Sequence, residues 1–140
     1  MEITFPDGTR VRASGIANRG ANDDWRGFGL YCDAAWKPDW EAVTIDWPDF
    51  GLPVAPETAA SQIVDAFQRA QSGTHVEVGC LGGIGRTGTV LACMAILAGV
   101  PGESAVGWVR EHYRPEAVET AAQANWVGWF AAWLERTTAT

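Results

Sequence analysis

The stretch from Gly79 to Thr89, GCLGGIGRTGT, combines a nucleophile with groups that bind anions. The glycines between Cys80 and Arg86 let the backbone approach a ligand closely and turn successive N–H groups inward. A helix that begins near Arg86 would add unpaired amides and the positive end of its dipole. The same field would stabilise Cys80 as a thiolate, and the Arg86 guanidinium can grip two phosphate oxygens. The stretch therefore predicts phosphoryl transfer through a phosphocysteine.

Three other interpretations stay open on these residues alone. Residues 83–88, GIGRTG, satisfy the G-x-G-x-x-G pattern of dinucleotide sites, although no following strand ends in an acidic residue at the usual distance. A Walker loop would need Gly-Lys-[Ser/Thr], and the only lysine of the chain is Lys37. A tight glycine turn beside a buried structural cysteine is the simplest alternative, since free cysteines are often buried.

The elements around this loop place it at the end of a strand. Residues 75–79 predict a short strand, and the apolar run 86–98 predicts a helix. Similar patterns predict a β-hairpin at residues 3–14 around a Pro-Asp-Gly turn, strands at 27–32 and 42–46, and helices at 56–72, 103–113 and 120–136. Because strands alternate with helices, we expect one three-layer α/β domain with a mainly parallel central sheet flanked by helices.

The last two predicted helices each carry residues on one stripe, and we expect the stripe of the fourth helix to face the core. The stripe of the third helix consists of Ala105, Val106, Val109 and His112. The stripe of the fourth consists of Trp126, Trp129, Phe130, Trp133 and Leu134. The spacing of these aromatic residues is typical of core packing rather than of a ligand site.

A second motif, Asp46-Trp-Pro-Asp49-Phe-Gly, lies upstream of Cys80 at the end of the predicted strand 42–46. With both motifs the chain resembles the cysteine-dependent protein-tyrosine phosphatases, which carry a Cys-x5-Arg-[Ser/Thr] phosphate loop and an upstream Trp-Pro-Asp loop. The resemblance covers about residues 43–135, the expected catalytic core, and the first forty residues match no motif. It implies a protein-tyrosine-phosphatase-like fold over a single domain of residues 1–140.

The resemblance also implies roles for individual residues. Cys80 would attack phosphorus and hold the phosphoryl group. Asp49 would protonate the leaving group and later accept a proton from water, with Asp46 as the competing acid. Thr87 would hydrogen bond to the sulfur and help it leave. Arg86 would bind the phosphate together with the amides of Leu81, Gly82, Gly83, Ile84 and Gly85.

Two further roles concern water and substrate. Gln123 resembles the family glutamine that positions the hydrolytic water, but Thr120-x-x-Gln123 is also a capping box for the last helix. Trp47 and Phe50 would wall a pocket deep enough for phosphotyrosine. The expected substrate is therefore a phosphorylated protein or an aryl phosphate, and a phosphate or sulfate ion is expected to bind in the loop. The mechanism requires no metal and no other cofactor.

One position departs from the family pattern, because Gly79 stands where a histidine usually precedes the nucleophile. Loss of that histidine should weaken the stabilisation of the thiolate. A weakly active or inactive module that binds phosphoproteins is therefore the second functional hypothesis. A dual-specificity or small-molecule phosphatase is the third.

The three cysteines do not form a disulfide framework or a zinc pattern, because their number is odd and their spacing fits neither. Cys93 is expected in the core. Cys32 is expected to be structural, with a position near Cys80 and a protective role in reversible oxidation as the alternative.

Composition limits the partners. The 140 residues are 47% hydrophobic, which suits one domain with a full core, and the net charge of −7 argues against nucleic acid or an anionic membrane as a partner. We find neither a membrane-length apolar run nor a signal peptide, so a cytoplasmic location is expected. The preference for arginine over lysine is typical of a high-GC bacterium.

Overall fold

The computed structural model describes residues 1–15, 25–33, 38–80, 82 and 84–138. Its five strands are β1 (Glu2–Thr4), β2 (Arg10–Gly15), β3 (Phe28–Tyr31), β4 (Ala42–Thr44) and β5 (Val76–Cys80). They form one sheet in the order β1-β2-β5-β3-β4. Strand β1 is antiparallel to β2, which confirms the predicted hairpin, and the other three pairings are parallel. The α/β class and the mainly parallel sheet are confirmed.

Four helices follow the predicted positions closely: α1 (Pro56–Gln71), α2 (Gly85–Leu97), α3 (Ala105–His112) and α4 (Ala121–Thr138). A short 3-10 turn, Gly102–Ser104, precedes α3 and accounts for the first residues of the predicted third helix. Proline at the first position of α1 suits a helix start, and Gly73 follows its end with a φ of +98°.

The hydrophobic core lies between the sheet and these helices. Val76 and Val78 of β5 belong to the same buried cluster as Phe67 of α1 and Leu91 of α2. Helix α2 is buried from Gly85 to Ala95 and contacts the other three helices and β5, so it needs an apolar surface all round. Strand β5, also buried throughout, therefore delivers its carboxyl end into the middle of the molecule.

The predicted helix stripes are confirmed except at one position. In α4, Trp126 and Phe130 are buried, while Trp129, Trp133 and Leu134 are half-buried against the core. In α3, Ala105 and Val109 are buried, and Val106 is half-buried. His112, the last member of the α3 stripe, does not face the core. Its ring is exposed and stacks at a centroid distance of 4.2 Å on the half-buried Trp108, one turn earlier in the helix.

A buried carboxylate joins three strands on the other face of β5. Glu77 is 1% exposed, and its oxygens accept hydrogen bonds from Arg26 Nε at 2.7 Å, Tyr31 Oη at 2.6 Å and Arg12 Nε at 3.1 Å. Burial acts to raise the pKa of Glu77, but the hydrogen bonds from Arg26 and Tyr31 and the charges of both arginines outweigh it, so the pKa is lowered. The indole of Trp40 donates to the same tyrosine oxygen at 3.0 Å.

Candidate active site

The phosphate loop, residues 80–86, runs from the last residue of β5 into the first turn of α2. Two of its residues, Leu81 and Gly83, lie outside the described ranges. Ile84 precedes the helix, and no described side chain caps the amides of its first turn. Those amides, together with the positive end of the helix dipole, are the groups that bind phosphate at helix N-termini.

The sulfur of Cys80 is buried and receives a hydrogen bond. Thr87 lies in the first turn of α2, and its Oγ1 donates to Cys80 Sγ across 3.0 Å. A hydrogen bond from a hydroxyl to sulfur stabilises a departing thiolate. The structure thus brings together the two residues that the sequence placed in these roles.

Arg86 is held by two backbone carbonyls from different parts of the chain. Its Nη1 donates to the Cys32 oxygen at 2.7 Å and to the Trp47 oxygen at 2.8 Å. Its Nε is buried, has no hydrogen-bond partner among the described residues, and lies 3.6 Å from Asp49 Oδ1. The guanidinium is therefore fixed in orientation, with its Nε donor facing the predicted acid.

The segment that carries the predicted acid, residues 46–54, forms a closed loop that we call the acid loop. The Val54 amide donates to the Asp46 oxygen at 3.0 Å, and the Gly51 amide donates to the Pro48 oxygen at 2.9 Å. The Trp47 indole donates to the Gly51 oxygen at 2.8 Å from inside the loop. Among the described acids, Asp49 is the one within ion-pair distance of Arg86.

The two residues predicted to wall the pocket differ in position. Trp47 is only 2% exposed and packs edge-on against Trp126 at a centroid distance of 5.4 Å, so the prediction that its ring lines an open pocket was wrong. It is buried because its indole supports the acid loop from below. Phe50 is 60% exposed at a φ of +57°. That conformation costs a non-glycine residue roughly 1–2 kcal/mol, and such strain is often retained at functional sites.

Gln123 connects the acid loop to the start of α4. Its side chain is 0% exposed: Oε1 accepts from the Glu119 amide at 2.9 Å, and Nε2 donates to the Gly51 oxygen at 3.3 Å. The Thr120 hydroxyl accepts a hydrogen bond from the Gln123 amide at 3.0 Å, which confirms the capping interpretation. The water-positioning role stays a prediction that this burial does not favour.

Glu119 contacts the phosphate loop, a feature that the sequence analysis missed. A Cβ added at Gly85 would overlap the Glu119 carboxylate, so this exposed side chain lies directly against the loop. The acidic residue was visible beside the capping box. Linear spacing does not show which of the two side chains turns toward the loop and which turns into the core.

A strap of residues 117–119 holds Glu119 in place. Val118 is buried with a φ of +63°, an unusual conformation for a β-branched residue. Arg110 stabilises it by donating to the Ala117 oxygen at 2.9 Å and to the Val118 oxygen at 2.8 Å. The strap packs directly on α2, because Gly88 presents no side chain there.

Tyr113, at the end of α3, is another neighbour of the nucleophile that the sequence analysis did not identify. Burial raises the pKa of its phenol, and the charge of Cys80 adds to this rise against the opposing hydrogen bond from Arg114. Tyr113 and Cys80 belong to the same buried cluster. The exposed Arg114 guanidinium lies 5.5 Å from the Tyr113 ring centroid.

Gly79 has a structural reason to lack a side chain. A Cβ there would lie 3.1 Å from Tyr31 Cδ1 and 3.1 Å from the Ser14 oxygen. The Tyr31 ring thus covers the space into which a histidine would extend, and Tyr31 is itself fixed by its hydrogen bond to Glu77. The departure from the family pattern is matched by this neighbouring aromatic ring.

The other two cysteines are buried free thiols. The Cys32 amide donates to the Gly79 oxygen at 2.9 Å, which continues the β3–β5 pairing and places Cys32 beside Cys80. Burial raises the pKa of Cys32, and the charge of Cys80 raises it further. Burial likewise raises the pKa of Cys93, whose position in the core is confirmed. A protective oxidation of Cys32 with Cys80 stays a prediction.

This arrangement agrees with the comparison against protein families. The family model PTP-SAK, described as "Swiss Army Knife protein, DSP-PTPase phosphatase domain", matches residues 48–127, more than half of the chain. The chain belongs to this family. The match confirms the resemblance to the cysteine-dependent phosphatase superfamily, and it lies within the core predicted at residues 43–135.

Relatives of this PTP-SAK domain have been found among proteins and solved structures. An uncharacterized protein of Methanocaldococcus jannaschii is 44% identical over 80 residues, which cover 56% of this chain and 52% of the relative. The chain thus spans about half the length of the curated relatives it matches.

Two solved structures show the same fold. Human DUSP28 has a TM-score of 0.76 at 11% identity, covering 99% of this chain and 100% of that one. Tk-PTP in the active form has a TM-score of 0.66 at 24% identity, covering 76% and 79%. The Methanocaldococcus jannaschii relative is archaeal and DUSP28 is human. A bacterial origin of this chain therefore stays a prediction. No helix in the described ranges is long and apolar enough to cross a membrane.

Proposed function

We propose that this PTP-SAK domain hydrolyses phosphotyrosine in proteins through a phosphocysteine intermediate. The observation that carries the proposal is the Nε of Arg86, which is buried, lies within ion-pair distance of Asp49 and has no hydrogen-bond partner among the described residues. An unsatisfied buried donor on a charged group is costly, and a phosphate oxygen would satisfy it with a charge-assisted hydrogen bond. The site is thus complementary to a tetrahedral anion held between Cys80 and the acid loop.

In the first step, the Cys80 thiolate attacks phosphorus. An S–P bond forms while the P–O bond to the leaving group breaks, and Asp49 transfers its proton to the departing oxygen. Arg86 and the amides of the phosphate loop stabilise the charge on the three equatorial oxygens, the main source of catalysis in this chemistry.

In the second step, water attacks phosphorus and the S–P bond breaks. Asp49 accepts a proton from the water, and the electron pair of the broken bond stays on Cys80 as a thiolate. The hydrogen bond from Thr87 stabilises that leaving sulfur. In this segment Glu119 contacts the phosphate loop, whereas Gln123 is buried. We therefore propose that the Glu119 carboxylate lies beside the attacking water.

The depth of the site favours an aryl phosphate. Cys80 is buried, whereas Phe50, the neighbour of Asp49 on the acid loop, is 60% exposed, so we propose that the substrate reaches the sulfur through a deep opening. A phosphotyrosine spans this depth better than the shorter phosphoserine. The predicted cytoplasmic location fits a phosphoprotein substrate, and dual specificity is one outcome of the test below.

The test is hydrolysis of p-nitrophenyl phosphate, phosphotyrosyl peptide and phosphoseryl peptide, each with EDTA present. We expect turnover of the first two by the wild type, complete loss in Cys80→Ser, and a decrease of about 10²–10⁴ in Asp49→Ala, as removal of a general acid causes. Asp46→Ala is the matched control, because this carboxylate lies in the same loop without an ion pair to Arg86 among the described contacts.

Three results would contradict the proposal in different ways. Loss of turnover on chelation would show that a metal is needed. Equal decreases in Asp46→Ala and Asp49→Ala would remove the assignment of the acid. A wild type that binds phosphotyrosyl peptide but does not turn it over would identify a phosphoprotein-binding module. Comparable rates on phosphoseryl peptide would establish dual specificity.

A further inference from the structure

Three of the exposed large hydrophobic side chains lie together on the acid loop. Among the described residues these exposed side chains are Met1, Phe50, Leu52 and Val54. Phe50, Leu52 and Val54 are 60%, 39% and 65% exposed, and we call them the apolar rim. A cluster of apolar side chains beside a reactive centre indicates a binding surface more strongly than single exposed residues do.

The acid loop leaves the three rim side chains exposed to solvent. Exposure alternates along the segment, since Gly51 is half-buried and Pro53 is buried between the three exposed residues. The carbonyl of Gly51 faces inward, where it accepts from the Trp47 indole at 2.8 Å and from Gln123 at 3.3 Å. These hydrogen bonds hold the loop that carries the rim in place from inside.

The exposed charges on the segment that carries the rim, residues 46–57, have one sign. Asp46, Asp49 and Glu57 are exposed on the segment 46–57, and the sequence of that segment contains no lysine or arginine. The exposed cation Arg114 lies on another element, at the end of α3. The surface next to the phosphate loop on this side is thus both apolar and acidic.

We propose that the apolar rim binds the residues flanking the phosphorylated side chain of a peptide, and that it selects apolar and basic neighbours over acidic ones. Apolar neighbours would cover the three rim side chains, while acidic neighbours would meet Asp46 and Glu57. An anionic lipid surface would be repelled by the same carboxylates and by the net charge of −7, so a peptide is the favoured occupant. This inference rests on the proposed phosphatase activity.

The experiment compares kcat/KM for two phosphotyrosyl peptides of equal length, one with Leu and Arg neighbours and one with Glu neighbours. Free phosphotyrosine serves as the reference without neighbours. For the wild type we expect about a tenfold preference for the Leu/Arg peptide, the size that modest apolar contacts supply in substrate discrimination. In the double variant Leu52→Gln, Val54→Thr this ratio should fall to within about threefold.

The matched control is Val106→Thr, the same change as at Val54 but on the half-buried surface of α3. It should keep the wild-type ratio, and circular dichroism should show that all variants are folded. Phosphatidylinositol phosphate in phosphatidylcholine vesicles is tested alongside and should be turned over more slowly than the Leu/Arg peptide.

The outcomes separate this inference from the proposed function. A wild type that hydrolyses both peptides equally would overturn the rim proposal and leave the phosphatase assignment standing. Faster turnover of the vesicles than of either peptide would also overturn it, by assigning the rim to acyl chains. A wild type without turnover of any substrate, free phosphotyrosine included, would overturn the phosphatase function itself.

Discussion

The hydroxyl of Thr87 is placed to act on the S–P bond that breaks in the proposed second step. It donates to Cys80 Sγ at 3.0 Å and has no access to solvent. A hydrogen bond to a charged group contributes about 1.5–3 kcal/mol, so Thr87→Ala should lower steady-state turnover roughly 10- to 100-fold. Because the sulfur leaves in the second step, the first turnover should stay fast. Rapid-mixing kinetics with p-nitrophenyl phosphate would then show a burst of phenolate followed by slow turnover.

The control is Thr87→Ser, which keeps the donor and should restore turnover to near the wild-type rate. If Thr87→Ala slows the burst and the steady state equally, the hydroxyl acts on the attacking thiolate rather than on its departure.

The strap and helix α2 are in direct backbone contact, and this places Glu119 and Gln123 relative to the acid loop. A Cβ at Gly88 would lie 2.7 Å from Ala117 Cβ and 3.0 Å from the Val118 nitrogen. The strap must then shift, since backbone atoms do not yield as flexible side chains do. Gly88→Ala should destabilise the fold by about 1–3 kcal/mol and lower kcat by loosening the acid loop. Urea unfolding and aryl phosphate kinetics measure the two effects.

Gly128→Ala provides the matched change in α4, where an added Cβ meets nothing within 4 Å. There the substitution should stabilise the protein by about 0.5–1 kcal/mol, because alanine is the better helix former. A Gly88→Ala protein with the same stability and kcat as Gly128→Ala would show that the strap does not position the site.

At the scale of the whole molecule, the Glu77 network ties the central strand to both its neighbours and sets a pH dependence of stability. The pKa of Glu77 is lowered in the folded state from its ordinary 4.5. Its stabilisation is therefore fully present above pH 4.5 and is lost as the pH falls through the folded value. Glu77→Gln leaves two arginines without their carboxylate and should cost about 3–5 kcal/mol at pH 7. Its stability should also fall less steeply in acid than that of the wild type.

Denaturant unfolding of both proteins across the acid range measures these two effects. Asp65→Asn is the control, since Asp65 forms an exposed pair with Arg69 at 2.9 Å within α1 and should change stability by at most about 0.5 kcal/mol. Parallel pH profiles for the wild type and Glu77→Gln would show that Glu77 is not the group that titrates.

Much of the site was predictable because its groups are close in sequence. The segment 80–87 contains Cys80, Arg86 and Thr87 between a predicted strand and a predicted helix. Local periodicity and glycine content were therefore enough to indicate an anion-binding loop. The ends of α1 were equally predictable from Pro56 and Gly73, because a proline start and a glycine stop act locally. Asp49 depended on a second motif and on the resemblance that the two motifs carry.

The remaining features depend on contacts between residues far apart in the chain. Trp47 is buried and Phe50 exposed because Trp126 and the Gly51 carbonyl receive the indole, which no spacing rule indicates. Glu119, for which the sequence analysis made no prediction, contacts the phosphate loop while Gln123 is buried, because the strap sets the direction of both side chains.

The sequence by itself determined the phosphatase family and the proposed chemistry, since the proposed nucleophile, anion cradle and acid lie in local motifs. Only the tertiary structure decided what surrounds them: the two carbonyls that orient Arg86, and the Tyr31 ring and Ser14 carbonyl that would crowd a side chain at position 79. The reason is physical, because side-chain direction and burial are set by packing between strands and helices that meet only in the folded chain.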